Sequence, residues 1–291
     1  MKKIVLLFLV ILAGVASCSS MRSSSNKDKD SFGNTRSVED GTISIPVNSY
    51  VTKIANYTAI DVEYYSSKEG KVLISGPQDV IDKILIEEKG QTIDIRVKPT
   101  ANNIVQVRGV NIKVYLPSLN EVTLYASGNF KAENLSNTTM AVNLLGSGDL
   151  TVGRIDSTSL KLIIRGSGDI KVDDAYCTTA QFFTQGSGDI IVKSMESTTI
   201  KSNIQGSGDI KIGKLVCTRA ETYIQGSGDV TYSNLEVNSL QTSIQGSGDF
   251  TADGHAFSAN LTIQGSGTIN IRGLKCDRVS KTKQGTGDIL F

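Results

Sequence analysis

The sequence predicts an all-β protein: a right-handed parallel β-helix, or solenoid, of about 20 residues per coil, preceded by an irregular β-rich N-terminal portion. Three observations carry this. The second glycine of each Gly-Ser-Gly-like corner falls at Gly128, Gly148, Gly168, Gly188, Gly208, Gly228, Gly248, Gly267 and Gly287, a step of 20 broken once by 19. Between corners, apolar and polar residues alternate, as in Ile210-Lys211-Ile212, which is the period of a half-buried strand. The residue types are Val, Ile, Thr, Tyr, Phe and Gly, with no room for a long amphipathic helix. A straight strand of ~20 residues would run ~66 Å at ~3.3 Å per residue, so each coil must wrap back onto the one before it. The twist and crossover preference of L-residues gives the right hand. A β-propeller, the rival architecture, needs blades of ~40 residues.

The elements follow in chain order. Lys2 and Lys3 precede an apolar run, Ile4 to Val15. That run is shorter than the ~20 residues of a membrane-spanning helix and has the length of a signal-peptide core. It ends Val15-Ala16-Ser17-Cys18, which resembles a bacterial lipoprotein box. Residues 1–17 are therefore expected to be a cleaved signal, with Cys18 carrying lipid and joining the protein to a membrane. Several acyl chains make such anchoring stable, since each buried CH2 contributes roughly 0.8 kcal/mol. Residues 18–40 are rich in Ser, Asn and charge and read as a flexible tether. Residues 41–125 hold strand candidates such as "TISIPV", "KVLISG" and "NIKVYLP", either continuous with the solenoid or a separate portion. Within them "PQDVIDKILIEE" reads as a short helix after Pro77 or as a turn leading to a strand. Residues 126–291 are the solenoid itself.

Charge excludes one function class. Removing residues 1–17 takes two lysines and leaves 28 basic against 29 acidic residues. A nucleic-acid surface would show a basic excess. Three cysteines remain after Cys18. Cys177, Cys217 and Cys276 stand at the same offset before the corner glycines Gly188, Gly228 and Gly287 and so share one column. Two coils separate the first pair, ~9.6 Å at ~4.8 Å per coil. A disulfide needs Cα atoms within ~7 Å. Free, semi-buried thiols are expected.

The corner "GSGD" is the motif with chemical possibilities. A calcium β-roll has a much shorter repeat, and a phosphate loop would open a helix. Neither fits a β repeat of this length. The acids Asp149, Asp169, Asp189, Asp209, Asp229 and Asp249 form a column in which carboxylates ~5 Å apart repel. They bond turn amides, or the column attracts a cation weakly. The flanking glycines suggest positive φ and crowded backbones. Gln185, Gln205, Gln225, Gln245, Gln264 and Gln284 form a second column, read as a structural amide ladder. His255, in the coil shortened by one residue, reads as an exposed turn variant. In the last coil Lys281 and Lys283 replace smaller or apolar residues, which suits a capping repeat or a contact with another subunit.

The chain resembles the family known as "putative auto-transporter adhesin, head GIN domain", frequent in lipoproteins of Bacteroidetes. The resemblance rests on Val114-Tyr115-Leu116-Pro117-Ser118-Leu119 leading into repeated GSGD corners from Gly146 to Asp249, and it covers roughly residues 42–291. It implies a right-handed β-helix, a surface or envelope role and no known catalytic residues.

The leading functional reading is a lipid-anchored, non-enzymatic cell-envelope protein, an outer-membrane lipoprotein whose surface or periplasmic orientation is open. It would bind an unidentified protein or glycan along its polar stacked surface. The alternative is a scaffolding module that self-associates into homo-oligomers. A carbohydrate-active enzyme comes third. Some polysaccharide lyases are β-helices, yet the chain has no Trp and one His, and no clustered acid–base constellation stands out. No cofactor, metal or nucleic-acid partner is expected.

Overall fold

A computed structural model of the chain describes residues 28–29, 35–36, 40–99 and 107–291. They fall in two units, one within Met1–Glu39 and one from Asp40 to Phe291. The first holds a short antiparallel pair, β1 (Asp28–Lys29) with β2 (Thr35–Arg36). The signal segment, Cys18 and most of the tether lie outside the described residues.

The second unit is a β-solenoid of about 8 turns with irregular strands at its start. Seven strands form its regular part: β11 (Phe130–Leu144), β12 (Leu150–Ile164), β13 (Ile170–Thr184), β14 (Ile190–Ile204), β15 (Ile210–Ile224), β16 (Val230–Ile244) and β17 (Phe250–Ile263). Each pairs in parallel with the next. From β11 to β16, residue i lies beside residue i+20 along the whole strand. A chain that comes to lie beside itself once in every repeat has closed a circuit. It bends at the glycine corner and at two further points where the ladder skips a pair, Gly153/Asp173 and Thr158/Thr178 in β12–β13. Three pairing runs per coil result, such as Leu150–Val152, Arg154–Ser157 and Ser159–Ile164.

Six side chains per coil point inward. In β12 they are Leu150, Val152, Ile155, Leu160, Leu162 and Ile164, all at most 1% exposed. Simple alternation from the corner identifies four of these columns. The two headed by Ile155 and Leu162 escape it. The bend at Gly153 shifts the phase of one. The other is interrupted by Ser202, Thr222 and Thr242, which are nonetheless fully buried. Two of them, Ser202 and Thr222, meet the side chain of Tyr232. Its ring packs edge-on against Phe250, with centroids 5.5 Å apart. Its hydroxyl lies 2.9 Å from Ser202 Oγ and 3.0 Å from Thr222 Oγ1. Burial pushes this phenol up to about 12, because ionisation would place an uncompensated charge in the core.

The shortened coil is accommodated by an irregularity between β16 and β17. Register slips between Tyr232 and Leu235, so that Leu235 pairs with Gly254. Gly254 takes φ +126 there, a conformation that side chains with a Cβ rarely adopt. His255 follows it within β17 and is half-exposed. It therefore belongs to a bulged strand and not to a turn, because the lost residue is absorbed inside the ladder. The last coil comprises β18 (Ile269–Asn270), β19 (Leu274–Lys283) and β20 (Ile289–Leu290). β19 pairs with β17, and its residues from Asp277 to Lys283 are exposed.

The N-terminal strands join the same sheet. They are β3 (Asp40–Pro46), β4 (Lys53–Asn56), β5 (Val62–Ser66), β6 (Lys71–Pro77), β7 (Ile84–Lys89), β8 (Thr92–Val97), β9 (Asn111–Leu116) and β10 (Glu121–Leu124). The segment after Pro77 is a short helix, α1 (Gln78–Ile81), followed by strand β7, so it contains both expected features. Parallel neighbours run β8–β4–β10–β11, with Thr92, Lys53, Glu121 and Ala141 in one register. A second run is β9–β5–β11 through Ile112, Val62 and Phe130. Antiparallel pairs β3–β6, β6–β9 and β7–β8 extend the sheet. Ile54, Val122 and Val142 then stack as one buried column across the junction.

Candidate functional site

The corner edge carries the repeated motif, and there the aspartates act along the axis. The backbone N–H of Asp169 donates to Oδ1 of Asp149 at 2.9 Å. The same bond recurs from Asp189 to Asp169 (3.0 Å), Asp209 to Asp189 (2.8 Å), Asp229 to Asp209 (2.9 Å) and Asp249 to Asp229 (2.7 Å). Thr268 closes the series by donating to Asp249 at 2.6 Å. The relay also begins earlier than the GSGD motif. The Asn129 N–H donates to Asp61 Oδ1, and the Asp149 N–H to Asn129 Oδ1, each at 2.8 Å. Asp61 is invisible to motif counting because no glycine corner surrounds it. Asp288 stands apart, since Thr268 below it has no carboxylate; it pairs with Lys283 at 3.1 Å.

Repulsion within the column is offset by two lysines. Lys171 lies 3.0 Å from Asp169 and 3.9 Å from Asp149. Lys211 lies 2.8 Å from Asp209 and 3.5 Å from Asp189. Both ammonium groups are held above their ordinary range, chiefly by the bonds to Asp169 and Asp209. Burial pushes the Asp169 carboxyl upward, but the Asp189 amide and Lys171 outweigh it and hold it below its usual value. Carboxylates bonded to amides and ammonium groups are structural acceptors, with little freedom to act as an acid or base.

The corner glycines serve closeness and not an unusual φ. Among the described residues positive φ occurs at Gly76, Gly90, Gly109 and Gly254, so the expected positive φ is not found at the corners. A Cβ added at Gly208 would fall on the carbonyl oxygen of Gly188 in the coil below. Backbones stacked at ~4.8 Å leave no room for one.

Beside the corner runs the glutamine column. Gln205 donates to Gln225, Gln225 to Gln245 and Gln245 to Gln264, each at 3.2 Å, and Gln264 to Gln284 at 3.4 Å. Gln185 stands in the column beneath Gln205. Below it the same column changes character: Arg165, Leu145, Tyr125, Tyr57 and Arg96 succeed one another. Tyr57 and Tyr125 stack at 4.2 Å, and Arg96 lies 3.6 Å over Tyr57.

The three thiols are free and share one column through Ser197, Val237 and Ala256. Burial pushes Cys177 up to about 11 and Cys217 up to about 12, which makes them poor nucleophiles. His255 Nδ1 lies 3.3 Å from Glu236 and Nε2 3.8 Å from Asp277.

Comparison with known proteins adds to this geometry. A family model described as "Putative auto-transporter adhesin, head GIN domain" matches residues 51–216 and 212–291. No curated protein matches the chain. Among solved structures, a "putative adhesin" from Bacteroides fragilis NCTC 9343 is 19% identical, with 87% of this chain and 97% of that one covered at a TM-score of 0.60. A "Putative lipid binding protein" from Parabacteroides distasonis ATCC 8503 is 20% identical over 86% of this chain and 95% of that one, with a TM-score of 0.64. A "putative adhesin" from Parabacteroides merdae ATCC 43184 is 16% identical over 87% and 97%, with a TM-score of 0.61. At these identities the likeness establishes a shared fold.

Proposed function

From the premise that this chain belongs to the "Putative auto-transporter adhesin, head GIN domain" family, we propose that it is a non-enzymatic binding module of the cell envelope. Lipid on Cys18 would hold it to the outer membrane, and its ligand would be a protein or a glycan. The observation that carries this reading is the commitment of the repeated motif to contacts between coils. Each aspartate of the column accepts from an amide of the next coil, and Asp149, Asp169, Asp189 and Asp209 also lie beside Lys171 or Lys211. What the solenoid offers outward is then a stiff array of Gln, Ser, Thr and Lys side chains. A surface ordered in advance loses little side-chain entropy on binding.

The full chain, held in detergent micelles, would be screened against host matrix proteins and glycans, with protease shaving of intact cells to find its face of the membrane. Saturable binding is expected. Concentration-dependent oligomers without any ligand would point instead to self-association. That second reading draws on Phe257, Val279 and Phe291, large apolar side chains exposed by 47%, 41% and 69% near the last coil.

A further inference from the structure

At one place the wall of the solenoid opens. β5 lies beside β11 only from Val62 to Tyr64. Beyond that it continues to Ser66 against β9 alone. Tyr65 stacks against Tyr115 with ring centroids 5.1 Å apart and 17° between planes, and Lys113 Nζ stands 5.8 Å from its centroid. Tyr65 is 41% exposed, and it borders a depression of about 400 Å³ lined also by Glu63, Lys131, Glu133, Gly153 and Asp173. Gly153, which has no side chain, lines the depression. The register sets this residue between Glu133 in the coil below and Asp173 in the coil above. Its own backbone comes close to Glu133, since an added Cβ would stand 2.7 Å from that carbonyl oxygen. A notch one coil wide is left between Glu133 and Asp173, and Tyr65 stands one rung below Glu133 at the edge of the same depression.

We propose that this depression binds a neutral saccharide, with the C–H face of a sugar ring on Tyr65 and its hydroxyls bonded to Glu133, Asp173 and Lys131. The proposal rests on the binding-module reading and names the ligand class and the place. Charge balance selects a neutral ligand. Glu63 accepts from the Tyr65 hydroxyl at 2.7 Å and lies 3.7 Å from Lys113. Asp173 is paired with Lys193 at 2.6 Å. Lys131 and Glu133 line the notch as well, so its three acids are matched in number by Lys113, Lys131 and Lys193. A cationic ligand would have to displace those lysines, and an anion would meet the acids. A wholly apolar ligand would strip water from charged groups and offer them no partners. A sugar matches both halves of the surface, because it presents an apolar face for an aromatic ring and a rim of hydroxyls for ionised donors and acceptors.

The test uses the full chain in a zwitterionic detergent without a sugar headgroup. Cello-, malto-, manno- and chito-oligosaccharides are the probes, followed by saturation-transfer NMR and by titration. At least one series is expected to bind. Tyr65→Ala should weaken it tenfold or more and Glu133→Gln severalfold. Tyr125→Ala, at an exposed tyrosine outside the depression, should leave affinity unchanged. Melting temperatures of all variants check folding. Should Tyr65→Ala not fold, Glu133→Gln and Asp173→Asn carry the test, since both side chains are exposed. Saccharide binding indifferent to these substitutions would overturn the site but leave the binding module standing. Binding of no saccharide, with capture of a matrix protein by the same preparation, would overturn the ligand class alone. No binding of either kind would overturn both.

Discussion

The backbone amide of Asp209 donates to Oδ1 of Asp189, one full coil earlier in the chain, at 2.8 Å. One residue type thus supplies donor and acceptor of the same relay, the main chain of each coil serving the side chain of the coil below. Asp209 in turn accepts from the amide of Asp229 at 2.9 Å and from Lys211 at 2.8 Å.

Replacing Asp209 separates acceptor from charge. Asp209→Ala leaves the Asp229 amide without its partner and removes the Lys211 contact, at a cost of about 1–2 kcal/mol. Asp209→Asn keeps an acceptor oxygen and should cost less than half of that. Chemical denaturation of both variants measures the difference. Calcium is expected to leave the melting temperature of the unaltered protein unchanged, since an amide serves every carboxylate from Asp149 to Asp249 and lysines serve four of them. A calcium-dependent rise that disappears in Asp209→Asn and Asp229→Asn would assign the column to a cation.

Acid should weaken the column through Asp169. Its folded-state carboxyl is held below the ordinary value, where the Asp189 amide and Lys171 outweigh burial. A group depressed in the folded state stabilises above its unfolded value and loses that contribution as pH falls through the folded one. The loss should therefore begin below about pH 4. Melting curves taken through that range should fall less steeply for Asp169→Asn than for the unaltered chain.

Glycine substitutions should divide by position. Gly208→Ala drives a methyl group onto the Gly188 carbonyl oxygen and should cost about 3 kcal/mol or more by forcing two coils apart. Gly90 has φ +62 and open space around the missing Cβ, so Gly90→Ala should cost only about 1–2 kcal/mol of backbone strain. Equal losses at the two positions would contradict backbone crowding as the reason for the corner.

The Tyr232 hydroxyl should be visible in both stability and titration. Tyr232→Phe leaves Ser202 and Thr222 with buried, unpaired hydroxyls, a loss of about 1–3 kcal/mol. Adding Ser202→Ala and Thr222→Val should recover part of it. In the unaltered protein this phenol, pushed up to about 12 by burial, should ionise after the exposed tyrosines. A phenol whose folded value is raised adds stability that is complete below the ordinary value near ~10 and is lost as pH climbs through about 12. Ultraviolet titration follows that step.

The regular coils were legible because every one of them repeats the same steric problem. Gly128 through Gly287 mark where backbones stack too closely for a side chain, and the Asp, Gln and Cys columns follow from the same spacing. The N-terminal strands repeat no such spacing. Lys53 and Glu121 are ladder neighbours, yet they stand far apart in the chain, because β5 to β9 intervene. Asp61 belongs to the aspartate relay for the same hidden reason. Ser202 and Thr222 looked outward by composition, and their burial goes with Tyr232, a partner two coils and one coil away. The depression at Tyr65 was illegible too, since it lies where β5 parts from β11, and only the fold brings Tyr65 and Gly153 to one depression.

The one shortened coil, between Gly248 and Gly267, shows what the solenoid tolerates when its length changes. A missing residue is absorbed by a slip in register and one glycine, Gly254, in a conformation few other residues share. A whole missing coil would need no repair, since Asp209 could take the place of Asp189 against Asp169, and Gln205 that of Gln185. Recombination between nearly identical GSGD segments in the gene would make such excisions and duplications in whole units. Each would shift the far end by one rung of ~4.8 Å and leave every contact type in place. The same repetition that stacks the coils makes the length of the solenoid an inheritable, countable trait, adjustable in steps without redesigning a single joint.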